Sequence, residues 1–484
     1  MLRRVAFVLI ACLLLVASMR RVEAATSDWL VVSDVHFDPF AYPHIVQRLA
    51  ETPPNRWRAV FLSQGQQPFS NYGSDSNFAL LESALDAMRN QVAQPPVVII
   101  TGDFLAHNFR EKFDRTVRDH DDAHYNAFVK ATIAFLAIEF RTAFPRARLI
   151  PVVGNNDNGC ADYQTTPGSP FLAAMASAWG ASVGAPDPNA FAAQFATGGY
   201  YTVPLPAGNA QAVVLNDVFW STQYRNACGQ KSAAPGADEL TWLAATTKSL
   251  GASNVWVIAH IPPGVDAYST LHGNPDTPVL FLTPHFNDAM IDALLRGPVH
   301  VVFSLAGHTH MNAYRMIGPD PSRPYVPMVL VPSISPIFNN NPAFTVLRVD
   351  DETATVDDLQ VFVLDDLAAL AKNGRGGARW QREYDFDSTY GHGPIDAPHF
   401  AAIQQSIFSD ERVRRRFESY FDSGSGRAPM TDATWHAYWC ANVALTVTEY
   451  SACASPQIQR QLPPHPPAPP LPSPTPLPSP SASP

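Results

Sequence analysis

Acidic, amide and imidazole side chains follow five apolar runs in this sequence. The clearest run is Val97–Ile100, which leads to Gly102 and Asp103. Its β-branched residues, set between prolines and a glycine, predict a fully buried strand. The four other runs end in the same kinds of residue, namely Asp34 and His36; Asn155, Asn156 and Asp157; His260; and His308 and His310. One such residue is usually only a turn residue, but five strand ends together predict a shared site, because ligands of α/β sheets collect beyond the carboxyl ends of the strands.

The side chains at these strand ends suit a pair of divalent cations. They offer carboxylate, amide and imidazole groups but no thiolate, which excludes a structural zinc finger and favours an open catalytic centre. Imidazole suits Zn or Fe, and carboxylate suits Mn. We therefore predict two divalent metal ions, with Zn preferred over Mn or Fe. The predicted ligands are Asp34, His36, Asp103, Asn155, His260, His308 and His310.

Paired cations of this kind favour hydrolysis of a phosphoric ester. They bind phosphate oxygens and lower the pKa of a bridging water, so that the resulting hydroxide attacks in line with the leaving group. The leaving alkoxide needs a proton, and His107, four residues after Asp103, is the candidate donor because the pKa of free imidazole lies near neutrality. On spacing alone, an alternative role for His107 has equal weight: a loop residue that only forms hydrogen bonds.

Helical patterns alternate with these strands, which predicts an α/β fold. Apolar residues at helical spacing predict helices over Asn77–Asn90 and Asp121–Phe140, and Thr283 before Pro284 predicts the start of another. Further strands are predicted at Tyr200–Leu205, Ala212–Asn216, Met328–Pro332, Ala343–Val349 and Thr355–Leu364. From about Asp365 helical segments dominate, which predicts a C-terminal helical subdomain.

Both ends of the chain differ in composition from the rest. Residues 1–24 combine arginines, an apolar stretch and an A-x-A-like end, which predicts an export signal and a secreted or periplasmic protein. Arg20 and Arg21 after that stretch leave a membrane anchor as the alternative. Residues 456–484 are rich in proline and predict a disordered tail. We expect the catalytic domain at 25–364 and the helical subdomain at 365–455.

Charge and cysteine usage narrow the partners and the compartment. The formal net charge of −10 argues against a nucleic-acid partner. Four cysteines follow the export signal, and an even count in an exported chain favours disulfides. Three pairings are open. Proximity favours Cys440 with Cys453, which leaves Cys160 for Cys228, and free buried thiols are the alternative.

The order of these motifs, D-x-H, G-D, G-N-N-D, a lone H and G-H-x-H, resembles the calcineurin-like metallophosphoesterases. The resemblance implies two sheets sandwiched between helices. It also divides the ligands between two metals: Asp34, His36 and His310 on one, Asn155, His260 and His308 on the other, and Asp103 on both.

Longer segments resemble the acid-sphingomyelinase-like phosphodiesterases of that superfamily. These segments are Asp34–Pro39, Gly102–His107, His260–Gly264, Gly307–Asn312 and PSISPIFNNNPAF. In that family the histidine corresponding to His107 acts on the leaving group, which favours the same role here. The family usually has histidine where this chain has Asn156. An amide can hydrogen-bond a phosphate oxygen but cannot act as an acid, so Asn156 is expected to assist while His107 alone donates the proton.

The resemblance implies an exported phosphodiesterase or phosphomonoesterase, expected to be a monomer. Its substrate class is a lipid head group, a nucleotide or polyphosphate, and contact with a membrane surface is compatible with the first. The GNND form and the segment NDVFWSTQYRNACG also resemble endopolyphosphatases, which makes a polyphosphate hydrolase the alternative enzyme. An inactive, metal-stabilised binding protein of the cell envelope is the alternative from another class.

Overall fold

The computed structural model describes residues 25–227, 234–318, 325–373, 377–427 and 430–455. The predicted export signal, the predicted proline-rich tail and Cys228 lie outside these residues and stay predictions. Within the described ranges, no helix combines the length and apolarity needed to span a membrane.

Two six-stranded sheets form the centre of the described structure. The strands are β1 Thr26–Val32, β2 Val97–Ile100, β3 Arg148–Pro151, β4 Tyr201–Pro204, β5 Gln211–Val214, β6 Asn254–Ile258, β7 His300–Ala306, β8 Ala313–Ile317, β9 Val326–Leu330, β10 Ala343–Asp350, β11 Val356–Leu364 and β12 Trp380–Asp385. The strand orders are β12-β11-β10-β1-β2-β3 and β4-β5-β6-β7-β9-β8. Strands β1 to β3 run parallel in the first sheet, and β5, β6, β7 and β9 run parallel in the second.

Helices flank both sheets, which confirms the predicted two-sheet α/β fold. They are α1 Pro43–Ala50, α2 Trp57–Leu62, α3 Phe78–Gln91, α4 Phe109–Thr116, α5 Asp122–Ala143, α6 Pro170–Trp179, α7 Pro188–Gly198, α8 Pro235–Leu250, α9 Ala267–His272, α10 Pro284–Arg296, α11 Leu367–Asn373, α12 Phe386–Tyr390, α13 Ala397–Ser409, α14 Glu411–Phe421, α15 Trp435–Ala441 and α16 Val447–Cys453. Helices α13 to α16 form the predicted C-terminal helical part.

Local sequence signals account for the starts of the main helices. Asn77 Oδ1 accepts a hydrogen bond from Leu80 N at 3.1 Å and caps α3, and Asp121 Oδ1 caps α5 through His124 N at 2.9 Å. Pro284 occupies the first turn of α10. These helices therefore begin within about one residue of the predicted positions.

The two sheets pack through a core of large aromatic side chains. Trp29 on β1 and Trp256 on β6 are fully buried, with ring centroids 4.9 Å apart. Trp256 Nε1 donates to Ala354 O at 2.9 Å, and Tyr201 OH on β4 donates to Pro151 O on β3 at 2.8 Å. These contacts fix the relative position of the two sheets, and with it the positions of the strand ends.

Two strands, β8 and β12, are not predicted by the sequence pattern because each carries charged residues. Strand β8 contains Arg315, which is buried and interrupts the apolar run. Strand β12 has the sequence WQREYD and pairs with β11 at the sheet edge. Since an edge strand leaves polar side chains in solvent, its composition does not separate it from a loop. Strand β12 lies within the span 365–455, which is predicted to be mainly helical. The domain boundary at 364/365 stays a prediction.

The C-terminal part is covalently closed. Cys440 on α15 and Cys453 on α16 form a disulfide, as predicted. Cys160 is also disulfide-bonded, but its predicted partner Cys228 lies outside the described residues. That pairing therefore stays a prediction.

We predict that Trp256→Ala lowers the free energy of unfolding by about 3 to 5 kcal/mol, because it leaves a cavity between the sheets. Urea unfolding followed by circular dichroism measures this loss. Leu62→Ala is the control, since Leu62 is 50% exposed and its truncation should cost only about 0.5 kcal/mol. Equal losses in the two variants would show that the Trp29–Trp256 contact does not stabilise the sandwich.

Candidate metal centre

The seven predicted ligands converge at one end of the two sheets. Asp34 and His36 follow β1, Asp103 follows β2, and Asn155 follows β3, whereas His260 follows β6 and His308 and His310 follow β7. Backbone hydrogen bonds tie these ends together: Asp34 N donates to Gly102 O at 3.1 Å and Gly307 N to His260 O at 2.9 Å. The carboxyl ends of parallel strands from both sheets therefore meet at one place.

Five of the predicted ligands occupy the left-handed backbone region, which is rare for residues other than glycine. Their φ values are 48° for Asp34, 40° for His36, 56° for Asp103, 69° for His308 and 61° for His310. Such strain clusters at functional sites, where the surrounding structure holds it in place. Here it turns the chain sharply after each strand.

One group of ligand atoms has the spacing of a tetrahedral cation site. Asp34 Oδ1 lies 3.4 Å from His310 Nε2, and His36 Nε2 lies 3.1 Å from His310 Nε2 and 3.3 Å from Asp103 Oδ2. Ligand atoms about 2.1 Å from a tetrahedral Zn²⁺ lie about 3.4 Å from each other. The four atoms therefore fit around one ion.

A second group of side chains lies next to the same carboxylate. His260 Nε2 is 3.4 Å from Asp103 Oδ2 and 3.0 Å from Asn155 Oδ1. The ring of His308 is centred 5.1 Å from that of His260. The same carboxylate oxygen, Asp103 Oδ2, thus lies within 3.4 Å of histidines from both groups.

Outer hydrogen bonds point the imidazoles at this centre. His36 Nδ1 bonds Leu105 O at 2.9 Å and His260 Nδ1 bonds Thr101 O at 2.7 Å. Because a carbonyl can only accept, both Nδ1 atoms are donors and both Nε2 atoms turn inward, as in metal sites. Among the residues that the structure describes, Asp34 Oδ1 has no hydrogen-bond donor although it is buried. A cation would satisfy this atom, since a buried polar atom without a partner is costly.

The electrostatics of the site suit ligation. Burial lowers the pKa of His36 to about 4 and that of His308 to about 3. Burial alone raises the pKa of Asp103, but the charge of His260 and the hydrogen bonds from His260 and Asn156 outweigh it and hold this pKa well below its usual value. Two imidazoles are therefore neutral and the shared carboxylate is ionised, which are the protonation states that metal binding requires.

His260 differs from the other histidines. Burial lowers the pKa of His260, but the charge of Asp103 raises this pKa by more than burial lowers it, to about 10. A proton and a divalent cation compete for its Nε2 atom, so cation binding at this position releases a proton. The donor set as a whole fits two divalent ions.

Asn156 contacts the shared carboxylate directly. Its backbone N donates to Asp103 Oδ1 at 2.8 Å and its Nδ2 to Asp103 Oδ2 at 3.0 Å. The amide thus orients Asp103. The expected contact of Asn156 with a phosphate oxygen stays a prediction.

His107 lies beside the first group and is anchored by a residue that the sequence analysis missed. Its ring stacks on His36 with centroids 4.1 Å apart, and its Nδ1 is 2.9 Å from Asp75 Oδ1. Lys112 Nζ donates to the other oxygen of Asp75 at 2.9 Å. Burial lowers the pKa of His107, but the hydrogen bond and charge of Asp75 outweigh this and raise it. No spacing signal in the sequence links Asp75 to His107, because they are brought together only by the fold.

The loop after GNND supplies two further residues that the sequence analysis missed. Asn155 Nδ2 donates to Asp162 Oδ1 at 2.7 Å, which directs Asn155 Oδ1 toward His260. Tyr163 OH lies 3.3 Å from His308 Nε2. Their position a few residues after a ligand motif is the only signal that could have indicated them.

A cavity of about 530 Å³ opens beside the ligands, and Asp103, His107 and His308 contribute to its wall. Phe338 is 45% exposed and meets the ring of His310 edge-on at 4.5 Å. Trp220, in contrast, is buried in the core and donates to Gly236 O at 3.0 Å. A substrate in the cavity can therefore contact the ring of Phe338 but not that of Trp220.

Comparison with known proteins gives three informative relatives, all phosphodiesterases. Human acid sphingomyelinase-like phosphodiesterase 3b is 23% identical over 464 residues, 92% of this chain and 94% of the relative. Sphingomyelinase phosphodiesterase D of Dictyostelium discoideum is 24% identical over 80% of this chain and 81% of its own. Rat cyclic GMP-AMP phosphodiesterase SMPDL3A is 23% identical over 89% and 92%, respectively.

The chain is thus similar, over most of its length, to acid-sphingomyelinase-like phosphodiesterases. The resemblance found in the motifs is thereby confirmed over most of the chain, and the relatives are phosphoric ester hydrolases, as expected. No protein-family model matches the sequence. A solved structure, calcineurin-like phosphoesterase YfkN from Bacillus subtilis, aligns with 81% of this chain and 99% of its own at 9% identity and a TM-score of 0.28.

We predict that Gly154→Ala reduces metal binding and activity by about tenfold or more, an effect typical of changes next to metal ligands. A Cβ on Gly154 would collide with the Asp103 carboxylate. Metal content after dialysis, measured by plasma mass spectrometry, tests the first effect. Gly180→Ala is the control, because its Cβ would meet Phe191 at an ordinary 3.4 Å. Full metal content in Gly154→Ala would contradict the role of Asp103 as the shared ligand.

Proposed function

We propose that this protein is an exported phosphodiesterase with two divalent metal ions. The observation that carries the proposal is the position of Asp103 Oδ2, 3.3 Å from His36 Nε2 and 3.4 Å from His260 Nε2. The ligands are the seven predicted residues, with Asp34, His36 and His310 on one ion, Asn155, His260 and His308 on the other, and Asp103 shared. Zn²⁺ is preferred because imidazole predominates.

When bound, the two ions supply an activated water and neutralise charge on the phosphate. The chain supplies the rest. The ligand loops hold the centre rigidly, since their imidazoles are fixed by backbone carbonyls and Asp103 by Asn156. Such preorganisation lowers the reorganisation needed during the reaction.

His107 protonates the leaving oxygen. It lines the cavity beside the ligands, and Asp75 accepts its Nδ1–H, which leaves Nε2 to donate the proton. Asp75 also raises the pKa of His107, so the imidazole carries a proton closer to neutral pH. Asp75 is therefore a positioning residue, and Lys112 in turn holds Asp75.

Export is supported by the disulfide between Cys440 and Cys453, because disulfides persist in oxidising compartments. The substrate is a phosphodiester. The relatives named above include a sphingomyelinase-like enzyme and a cyclic GMP-AMP phosphodiesterase, and the cavity is large enough for a head group or a nucleotide.

The direct test is hydrolysis by the purified protein, loaded with Zn²⁺ or Mn²⁺, of bis-p-nitrophenyl phosphate, p-nitrophenyl phosphocholine and polyphosphate. We expect turnover of at least one diester and its loss with a chelator. Turnover of polyphosphate alone would favour the endopolyphosphatase alternative. Absent turnover on all three substrates would favour the binding-protein alternative, and chelator-insensitive turnover would contradict the proposed role of the metal ions.

We predict that His107→Ala slows diesters with alkyl leaving groups by about a hundredfold or more, but slows p-nitrophenyl esters much less, because only the poor leaving group needs a proton. Asp75→Asn should show the same pattern, with a shifted pH–rate profile. Steady-state rates on a matched alkyl and aryl pair measure this. His124→Ala, which changes an exposed histidine on α5, is the control. Equal losses on both esters would show that His107 is not the acid.

Metal removal should destabilise the fold. Ions present at a hundred times their dissociation constant stabilise a protein by about 2.7 kcal/mol per site, so we expect chelation to lower the unfolding temperature. His308→Ala should show a smaller metal-dependent shift than the wild-type protein. Differential scanning fluorimetry with and without Zn²⁺ measures both effects, and a His308→Ala protein that keeps both ions would contradict its assignment as a ligand.

A further inference from the structure

The cavity beside the metal centre includes wall residues that the proposed reaction does not use. They come from the edge of the second sheet and from the C-terminal helices, and include Ala313, Arg315, Leu330, Phe421, Tyr438 and Ala441. These residues share one continuous cavity with His107 and His308. A substrate larger than its scissile phosphate would therefore contact them.

Arg315 is the distinctive residue of this wall. It is only 5% exposed, yet it lines the cavity. Its guanidinium offers five N–H donors, of which one goes to Tyr314 O at 3.1 Å and one to Val265 O at 3.4 Å, while Nε has no acceptor. In the described part of the chain, no carboxylate forms an ion pair with it. Arg315 is thus a buried cation with more donors than acceptors.

Asp266 is the carboxylate that most affects the pKa of Arg315, but it forms a hydrogen bond with another group. Asp266 stabilises the charge of Arg315 from a distance, but its Oδ1 accepts from Ser269 N at 2.9 Å and caps α9. Burial lowers the pKa of Arg315 to about 10, so the side chain is still charged at neutral pH. A buried charge that lacks a contacting counterion is costly, and an anion bound in the cavity would supply that counterion.

Tyr438 adds a second unused donor to the same wall. Its hydroxyl is buried and has no hydrogen-bond partner among the described residues. The wall of this cavity also includes the charged residues Asp103, Asp162, Asp266 and Arg427, but within the described residues the side chain of Arg315 bonds only to backbone carbonyls. An oxygen acceptor that enters the cavity would therefore satisfy the unpaired donors of Arg315 and Tyr438.

We propose that Arg315, assisted by Tyr438, forms a subsite for a second anionic group of the substrate, distinct from the phosphate that is cleaved. The inference rests on the proposed function for the position of the scissile phosphate. A guanidinium binds phosphate or carboxylate oxygens through paired hydrogen bonds, whereas it repels a quaternary ammonium. The subsite selects diesters whose alcohol carries a phosphate or a carboxylate over choline esters.

The test uses two series of p-nitrophenyl alkyl phosphates with the same scissile bond and leaving group. In one series the alkyl chain ends in a methyl group, and in the other it ends in a phosphonate, over a range of chain lengths. We expect the metal-loaded, full-length protein to prefer the phosphonate series at a matching length by about tenfold or more in kcat/KM, the strength of charge-assisted hydrogen bonds. Arg315→Met should remove this preference mainly through KM, and Arg315→Lys should keep part of it.

Arg414→Met is the matched control. Arg414 is equally buried, but it lies on α14 and its guanidinium stacks on the ring of Trp435 at 4.7 Å. Its loss should leave the preference between the two series unchanged, even if stability falls. Because the readout is a ratio of two substrates on one protein, a partly unfolded variant still gives a valid value.

Two results would overturn the subsite. One is a wild-type protein without preference at any chain length, and the other is an Arg315→Met protein that loses activity equally on both series, as expected of a residue that only ties β8 to the loop at Val265. If the wild-type protein cleaves neither series, the proposed function fails instead. Calorimetric binding of a non-hydrolysable alkane diphosphonate, weaker for Arg315→Met than for the wild-type protein, then still decides the subsite.

Discussion

One carboxylate joins the two halves of the site. Asp103 follows a strand of the first sheet and lies between His36, from the same sheet, and His260, from the other, with both Nε2 atoms within 3.4 Å of one oxygen. This spacing exists only if the two sheets keep their relative position. The buried Trp29–Trp256 pair and the bond from Tyr201 to Pro151 supply that constraint. The core of the sandwich is therefore also a support of the site.

A layer of fixed partners surrounds the ligands. Backbone carbonyls hold His36 and His260, Asp162 holds Asn155, and Asp75 holds His107. Each of these contacts restricts a side chain to one orientation, and sites built in this way keep the geometry that catalysis needs. The same principle explains why glycine stands at 102 and 154, where a Cβ would meet His260 or Asp103.

The sequence predicted the fold and the convergence of these seven side chains, because both follow from local patterns; their role as metal ligands stays a prediction. Each ligand comes directly after a continuous apolar run, and such runs are strong strand signals. The pairing of Asp75 with His107 could not be predicted, since 32 residues separate them and only the fold brings them together. Strand β8 could not be predicted because Arg315 interrupts its apolar run, and strand β12 could not be predicted because it carries charged residues at the sheet edge. What local sequence does not specify is thus the set of long-range polar contacts, and these are the ones that tune the site.

The central claim is that two cations flank the Asp103 carboxylate. Anomalous difference maps, recorded from crystals of Zn²⁺-loaded protein on both sides of the zinc absorption edge, test this claim most directly. The account predicts two peaks, one among Asp34, His36 and His310 and one among Asn155, His260 and His308, with Asp103 in contact with both. No peak at this position in fully loaded protein, or imidazoles turned away from the peaks, would contradict it.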